Sequence, residues 1–371
     1  MGGQGGNYEL TAAFVDGREV PGGNKVLYVF DRQKMPPVES EVTLWGNDPE
    51  LRTWLTTNGI KYREFDDTPG SKRELILVSA KPPAPGGRQV FEALVRRIAA
   101  GSAAVFLSEK VFAEGDFTTR WMPLKTKGFV TRSRSWLYGR DEWIKDHPVF
   151  EGLQNGGLMD LQFYRDLLDG SQPVFTKIEK PEMALAGCFQ TSSFDRKLGV
   201  FHNGLLIAEY PLGAGRILLN TLLIAQNLGK SPQAERLLRN MLNYMSRDLA
   251  KPVAALPAGF EQQIAALYES YALANPEISI VAPADDSSVK APGTVAITTW
   301  TSEPEVRIEK VEFYSDGRKI GEDSVRKSEM FLPFEFIWAD APAGTHQLTL
   351  KAINENGSTT TSEPVTVRVV P

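Results

Sequence analysis

The sequence predicts a multidomain protein in which an α/β three-layer sandwich is followed by an all-β sandwich. Between residues 25 and 252, continuous apolar runs alternate with stretches of helical periodicity. From residue 277 to residue 371, short strand-like segments are separated by clusters of turn residues. The chain has 371 residues, which is more than one ordinary hydrophobic core accommodates.

Residues 1–24 are expected to form an N-terminal tail and a β-ribbon. The segment Tyr8–Val15 alternates loosely between polar and apolar side chains, and Asp16-Gly17 is a turn signal. The glycine-rich start at Met1 is typical of a cloned terminus. We therefore expect the chain to be a fragment whose targeting segment lies upstream.

The α/β domain is predicted to begin with a strand at Val26–Phe30, because a continuous apolar run is typical of a strand buried on both faces. A helix follows, which Asp48 caps and which ends at Asn58-Gly59. Two further strands are predicted at Lys61–Phe65 and Glu74–Ser79.

The alternation then continues with a helix opened by Gly86-Gly87 and a strand at Ala103–Leu107. Residues 112–195 are less regular and predict several short strands whose order is open. Strands that alternate with helices form right-handed βαβ units around a mostly parallel sheet. The expected fold class of this domain is therefore flavodoxin-like.

The end of this domain is predicted to contain two strands, Leu198–Phe201 and Leu205–Tyr210, joined by a hairpin turn at Asn203-Gly204. A strand at Arg216–Asn220 and an amphipathic helix that starts at Ser231-Pro232 complete it.

Residues 253–276 predict a helical linker with an apolar stripe, and residues 277–371 predict a β-sandwich. Alternation in the sandwich places five large apolar side chains inward. They are Phe313, Phe336, Trp338, Leu348 and Leu350.

The C-terminal stretch resembles the bacterial Ig-like repeats found on secreted enzymes. The likeness is carried by Ile280-Val-Ala-Pro-Ala-Asp285, Lys310-Val-Glu-Phe-Tyr-Ser-Asp-Gly317 and the segment Ala341–Ala352. Such modules are mainly spacers or sugar-binding appendages. The resemblance implies an extracellular or periplasmic location.

The larger domain resembles the class I glutamine-amidotransferase-like fold, in the version found in ThuA-like proteins and in the trimerisation domains of β-galactosidases. Three stretches carry this likeness: His147-Pro-Val-Phe-Glu-Gly-Leu153, Gly213-Ala-Gly-Arg-Ile-Leu-Leu-Asn220 and Leu237-Leu-Arg-Asn-Met-Leu-Asn-Tyr244. The resemblance implies association with a glycoside hydrolase, and self-association into a homo-oligomer.

The catalytic residues of true amidotransferases are not matched. Those enzymes need a cysteine on a sharp strand-to-helix turn, flanked by small residues, and a His-x-Glu pair. Here Ser108 follows the strand that should carry the nucleophile, and its neighbours are bulky. Cys188 comes later and is more typical of a buried thiol. A catalytic Cys188 and a serine hydrolase built on Ser108 remain alternatives.

Composition excludes several classes of function. A net charge of −5 and a pI near 5.5 argue against nucleic-acid binding, and no apolar run is long enough to span a bilayer. One cysteine and the histidines His147, His202 and His346 supply neither a disulfide framework nor a metal site. We expect no cofactor.

One patch, between residues 120 and 143, combines aromatic and basic side chains. Exposed tryptophans there would stack on sugar rings, with arginines beside them, whereas buried ones would fill the core or an interface. The candidate ligand-binding or partner-binding residues are Trp121, Arg134, Trp136, Tyr138, Arg140 and Trp143.

The two resemblances and the missing catalytic residues together imply a non-catalytic accessory segment of a secreted carbohydrate-active protein, one resembling β-galactosidases. Its expected partners are a carbohydrate or the catalytic domain of the same protein. A ThuA-like hydrolase or isomerase acting on sugars and a surface adhesion protein are the alternatives.

Overall fold

The computed structural model forms two compact units, Met1–Ser270 and Tyr271–Pro371. It describes residues 5–31, 34–66, 71–84, 87–114, 118–134, 140–192, 200–269, 278–291, 293–301, 308–324, 334–354 and 359–371. Each unit has its own apolar core.

The first unit contains thirteen strands and six helices within the described residues. Its strands are β1 (Gly6–Ala13), β2 (Glu19–Val29), β3 (Val42–Trp45), β4 (Tyr62–Glu64), β5 (Leu75–Val78), β6 (Ala103–Phe106), β7 (Phe129–Arg134), β8 (Arg140–Ile144), β9 (Gly157–Leu158), β10 (Ser171–Thr176), β11 (Met183–Ser192), β12 (Val200–Leu212) and β13 (Gly215–Asn220). Its helices are α1 (Pro49–Thr57), α2 (Arg88–Ala99), α3 (Leu161–Tyr164), α4 (Ile224–Asn227), α5 (Pro232–Met245) and α6 (Phe260–Glu269).

Eleven strands of this unit form one mixed sheet, with the order β4-β3-β5-β6-β13-β12-β11-β8-β9 and with β10 and β7 attached through β12. The first five of these strands pair in parallel. The other six pair antiparallel. The flavodoxin-like prediction is therefore wrong, because such a sheet is parallel throughout and this chain is mostly β-structure. The βαβ alternation that suggested it stops after β6.

Two apolar clusters build the core of the first unit. Side chains from α1 and α5 pack in one cluster, and side chains from α2 and α6 pack in the other. Successive strand residues go to different clusters, since Leu75 and Leu77 join the first cluster while Ile76 and Val78 join the second. Buried strands of this kind explain the continuous apolar runs in the sequence.

Helix α1 starts where the sequence predicts, because the Asp48 carboxylate accepts the Leu51 N–H and Pro49 occupies the first turn. Its buried face consists of Leu51, Trp54 and Leu55. Helix α6 lies in the predicted linker but belongs to the first unit, where Phe260 and Tyr268 are buried.

The prediction of a buried strand at Val26–Phe30 is wrong. Residues up to Val29 belong to β2, which among the described strands pairs with β1 alone, in a separate two-stranded ribbon. Val26 and Val29 are exposed there. The first strand of the large sheet is instead β3, which is the fully buried sequence Val42–Trp45.

The predicted hairpin at Asn203-Gly204 is also wrong, because β12 runs through both residues without turning. The glycine serves close packing instead. A Cβ on Gly204 would lie 2.4 Å from the Cβ of Val174, so the strand needs a residue without a side chain there.

The second unit is a sandwich of two sheets. One sheet has the order β14-β16-β19, and the other has the order β15-β22-β20-β17-β18 with β21 on β20. The strands are β14 (Ile278–Ala282), β15 (Ser287–Lys290), β16 (Gly293–Thr301), β17 (Ile308–Ser315), β18 (Arg318–Asp323), β19 (Glu335–Ala341), β20 (Gly344–Asn354), β21 (Thr359–Thr361) and β22 (Val365–Val370).

The core of the sandwich contains the side chains that the alternation placed inward. Phe313, Leu348 and Leu350 are buried. Phe336 and Trp338 are half-buried and pack against them, and the ring centroids of Phe313 and Phe336 are 5.3 Å apart.

Candidate functional site

The carboxyl end of strand β6 is a candidate site, because ligands of open α/β sheets bind beyond the carboxyl ends of parallel strands. Ser108 follows β6 and is buried. Its Oγ lies 3.1 Å from Glu109 Oε2 and accepts the Lys110 N–H. A depression of about 120 Å³ beside it is lined in part by Arg132, Asp169 and Thr221, and no described histidine lines it. Ser108 thus has a carboxylate neighbour and caps the short 3-10 helix Glu109–Phe112.

Cys188 does not lie at a strand end. It is buried in the middle of β11, with Sγ 3.6 Å from the Phe189 carbonyl oxygen. Burial among apolar side chains is the environment of an inert structural thiol.

Trp121 is a core residue that is only 6% exposed. Its ring stacks on Phe91 of α2, with centroids 5.6 Å apart, and meets Tyr268 of α6 edge-on at the same distance. A buried tryptophan offers no surface to a ligand, so Trp121 contributes to packing.

Two basic neighbours of Trp121 bind the end of helix α6. The Arg120 guanidinium donates to the Tyr268 carbonyl oxygen at 2.6 Å. Lys127 Nζ donates to the carbonyl oxygens of Arg120 at 2.7 Å and of Leu267 at 2.9 Å. Burial, followed by the positive charge of Arg120, lowers the pKa of Lys127 to about 8. The two side chains donate to carbonyl oxygens near the carboxyl end of α6, which have no partner within the helix.

Four of the candidate residues are not placed by the structure. Trp136 and Tyr138 lie outside the described residues. Arg134 and Arg140 belong to β7 and β8, but their side chains are not described.

Trp143 lies on an aromatic platform at the edge of the large sheet. It is half-buried on β8, directly opposite Gly187 of β11 and Leu158 of β9. The indole rests over Gly187, where an added Cβ would come within 2.5 Å of the ring. Phe189 follows two residues after Gly187 on the same face, and its ring centroid is 6.2 Å from that of Trp143. We call Leu158, Trp143 and Phe189 the edge platform.

The edge platform is open to solvent and has polar neighbours. Phe189 is 50% exposed and Leu158 is 59% exposed. Asp141 and Asn203, both exposed, lie directly opposite Phe189 on the two flanking strands. Aromatic rings beside a carboxylate and an amide present an apolar surface together with hydrogen-bonding groups. This combination suits a sugar ring, which has apolar C–H faces and hydroxyl edges.

Sequence patterns indicated Trp143 but missed Phe189 and Leu158. These three side chains come from different strands, and only the pairing of β8 with β9 and β11 brings them together. The one local signal is Gly187, because a glycine inside a strand marks a close approach.

The described part of the chain contains no group of three or more His, Cys, Asp or Glu side chains that could hold a metal ion. Over the same residues, no helix is long and apolar enough to cross a membrane.

Several solved structures are similar to parts of this chain. The fibronectin(III)-like modules of Clostridium thermocellum CbhA are 22% identical, with 25% of this chain and 94% of that chain covered and a TM-score of 0.23. The endo-β-1,4-mannanase of Thermotoga petrophila is 16% identical, with 43% and 27% covered and a TM-score of 0.22. The cytoplasmic protein STM3548 of Salmonella typhimurium is 10% identical, with 56% and 98% covered and a TM-score of 0.33.

No curated protein matches this chain. The family model described as a bacterial Ig domain matches residues 276–350. That segment covers most of the sandwich strands of the second unit. The second unit is therefore Ig-like.

Proposed function

We propose that this chain is a non-catalytic accessory segment of an extracellular or periplasmic carbohydrate-active protein, and that it binds neutral polysaccharide on the edge platform. The observation that carries the proposal is the half-buried indole of Trp143 beside the exposed ring of Phe189, with Asp141 and Asn203 next to them. Exposed aromatic surface of this kind on a soluble protein is typical of an interaction site.

The choice of a neutral ligand follows from charge. An exposed charged group directly beside Phe189 is the Asp141 carboxylate. A carboxylate accepts hydrogen bonds from sugar hydroxyls, whereas it repels the carboxylates of an acidic polysaccharide.

The accessory role is supported by the Ig-like unit and by the state of the two candidate nucleophiles. Bacterial Ig-like repeats of secreted enzymes are mainly spacers or sugar-binding appendages, and Ser108 and Cys188 are both buried. A nucleophile needs access to substrate, and the burial of both side chains restricts that access. The partner in this proposal is the catalytic domain of the same protein.

Electrophoresis through gels that contain a soluble polysaccharide tests the binding. The protein should be retarded by a neutral glucan or mannan and much less by polygalacturonate. Trp143→Ala should restore the mobility seen in a plain gel, whereas Ile337→Ala, an exposed apolar change in the Ig-like unit, should not. Retardation only by polygalacturonate would refute the neutral ligand.

Activity assays test the non-catalytic part of the proposal. The chain should not turn over aryl glycosides, glutamine or simple esters. Turnover that Ser108→Ala or Cys188→Ala abolishes would show that the domain is an enzyme and would overturn the accessory role.

A further inference from the structure

The N-terminal β-ribbon is amphipathic. Its strands pair in a regular antiparallel register from Gly6 opposite Val29 to Thr11 opposite Asn24. Directly opposite residues share a face, so Val26 and Tyr28 lie on one face with Asn7 and Glu9. Leu10, Leu27 and Val29 lie on the opposite face together with Tyr8 and Lys25. That face is exposed, because Leu10 is 56%, Leu27 is 39% and Val29 is 41% accessible.

The edge of β2 that faces away from β1 is hydrogen-bonded to the side chain of Gln162. With its amide oriented for best bonding, Gln162 donates to the Val26 carbonyl oxygen at 3.1 Å and accepts the Tyr28 N–H at 3.2 Å. The backbone groups of Val26 and Tyr28 therefore point away from β1.

This orientation determines the outer edge of β1. Asn7 lies opposite Tyr28 and Glu9 lies opposite Val26, so both are non-hydrogen-bonded positions of the ribbon. Their N–H and C=O groups point outward, and no described strand other than β2 pairs with β1. Glu9 is the only charged residue of β1, which contains neither proline nor lysine and has its register shift only after Thr11. The edge thus lacks the usual protection against pairing.

We infer that β1 pairs antiparallel with β1 of a second copy of this chain, which makes a four-stranded sheet across a two-fold axis. The axis keeps the apolar faces of both ribbons on the same side, where they form one continuous surface. A two-stranded ribbon alone is marginally stable in water, and added strands with a shared apolar face stabilise it.

Charge selects the register of this pairing. A register centred on Glu9 would place two carboxylates opposite each other, which is unfavourable. A register centred on Tyr8 instead places Glu9 opposite Asn7 of the other copy. A register centred on Leu10 places Glu9 opposite Thr11 of the other copy. Both registers leave the polar and apolar faces intact.

Disulfide cross-linking of single-cysteine variants tests the pairing. In the inferred sheet, Tyr8 or Leu10 meets its own counterpart in a non-hydrogen-bonded pair with Cα atoms about 4.5 Å apart, which suits a disulfide. One of Tyr8→Cys and Leu10→Cys should therefore oxidise to a covalent dimer. Asn7→Cys, which never meets itself in these registers, should not. The unchanged protein should not either, because its Cys188 is buried.

Sedimentation of the full chain supplies the second test. The protein should sediment as a dimer of its 41.0 kDa chain. Glu9→Pro removes an outward N–H that the ribbon itself does not use, and it should give a monomer. Glu9→Ala keeps that N–H and should remain a dimer. The inference would be overturned if the parent protein were a monomer, if Glu9→Pro remained a dimer, or if neither cysteine variant formed a cross-link. A monomeric parent protein would also be the result if a different protein covers this edge.

Discussion

Residues of one type have different roles in this protein because their surroundings differ. Trp121 is enclosed by Phe91 and Tyr268, whereas Trp143 lies on the half-open edge platform. Trp121→Ala should lower the free energy of unfolding by about 3–5 kcal/mol, as for other buried aromatic side chains. Trp143→Ala should cost much less. Urea denaturation of both variants measures the difference, and equal losses would show that Trp143 is also a core residue.

A second residue-scale prediction concerns Lys127 and pH. Its pKa is about 8 in the folded protein but has an ordinary value of 10.5 in an unfolded chain. Between these pH values the unfolded chain holds more protons, so stability increases as pH rises through this window. Burial of the charged form is unfavourable below pH 8, and deprotonation relieves it. The gain from Lys127 is at most about 3 kcal/mol.

Comparison of variants isolates this contribution from other titrating groups. The difference in unfolding free energy between the parent protein and Lys127→Met should change between pH 8 and pH 10.5, the window set by its shifted pKa. Lys125→Met, at an exposed neighbouring position, is the control for replacing a lysine in this segment. A difference for Lys127→Met that does not change with pH would contradict the burial of its charge.

At the scale of elements, local sequence patterns correctly predict the strands and helices whose structure depends mainly on residues close in sequence. The strands β5 and β6, the helix α2 between them and the helix α5 lie where apolar periodicity predicts them. The prediction is wrong at Asn203-Gly204, because glycine occurs both in hairpin turns and where a strand packs closely against a side chain, here that of Val174. Between residues 112 and 195 the pattern predicted several short strands but left their order open, because these antiparallel strands pair with segments far away in sequence.

The edge platform shows the same limit for function. Trp143 is noticeable in the sequence because aromatic and basic residues surround it. Phe189 and Leu158 are ordinary apolar residues until strand pairing brings them beside the indole. A single sequence does not specify that pairing, so the sequence indicated one residue of the platform and missed the others.

Strand β11 should control the platform through Gly187. An added Cβ there would lie 2.5 Å from the Trp143 indole and 2.8 Å from the Gly204 carbonyl oxygen, so Gly187→Ala must displace the ring and shift the strand backbone. We expect weaker glycan binding and a shift in tryptophan fluorescence, with the fold retained by circular dichroism. Gly170→Ala, where nothing lies within 4 Å of the added methyl, is the matched control. Unchanged glycan affinity in Gly187→Ala would show that the ligand does not depend on the position of Trp143.

At the scale of the whole molecule, two units with separate cores share one chain. The first unit presents the edge platform and the ribbon, and the second unit is Ig-like. In the proposed function the platform holds a neutral polysaccharide near a catalytic partner. A second copy joined through the ribbon would supply a second platform, and two linked sites hold a polymeric ligand more tightly than one.

The most direct test of the central claim is calorimetric titration with a short oligosaccharide of the neutral polysaccharide that retards the protein most. Trp143→Ala and Phe189→Ala should each weaken binding about tenfold, which corresponds to about 1.4 kcal/mol and lies within the range for aromatic contacts. Ile337→Ala should bind like the parent protein. If the parent protein releases no heat of binding, or if all three variants bind equally well, the edge platform is not a carbohydrate site.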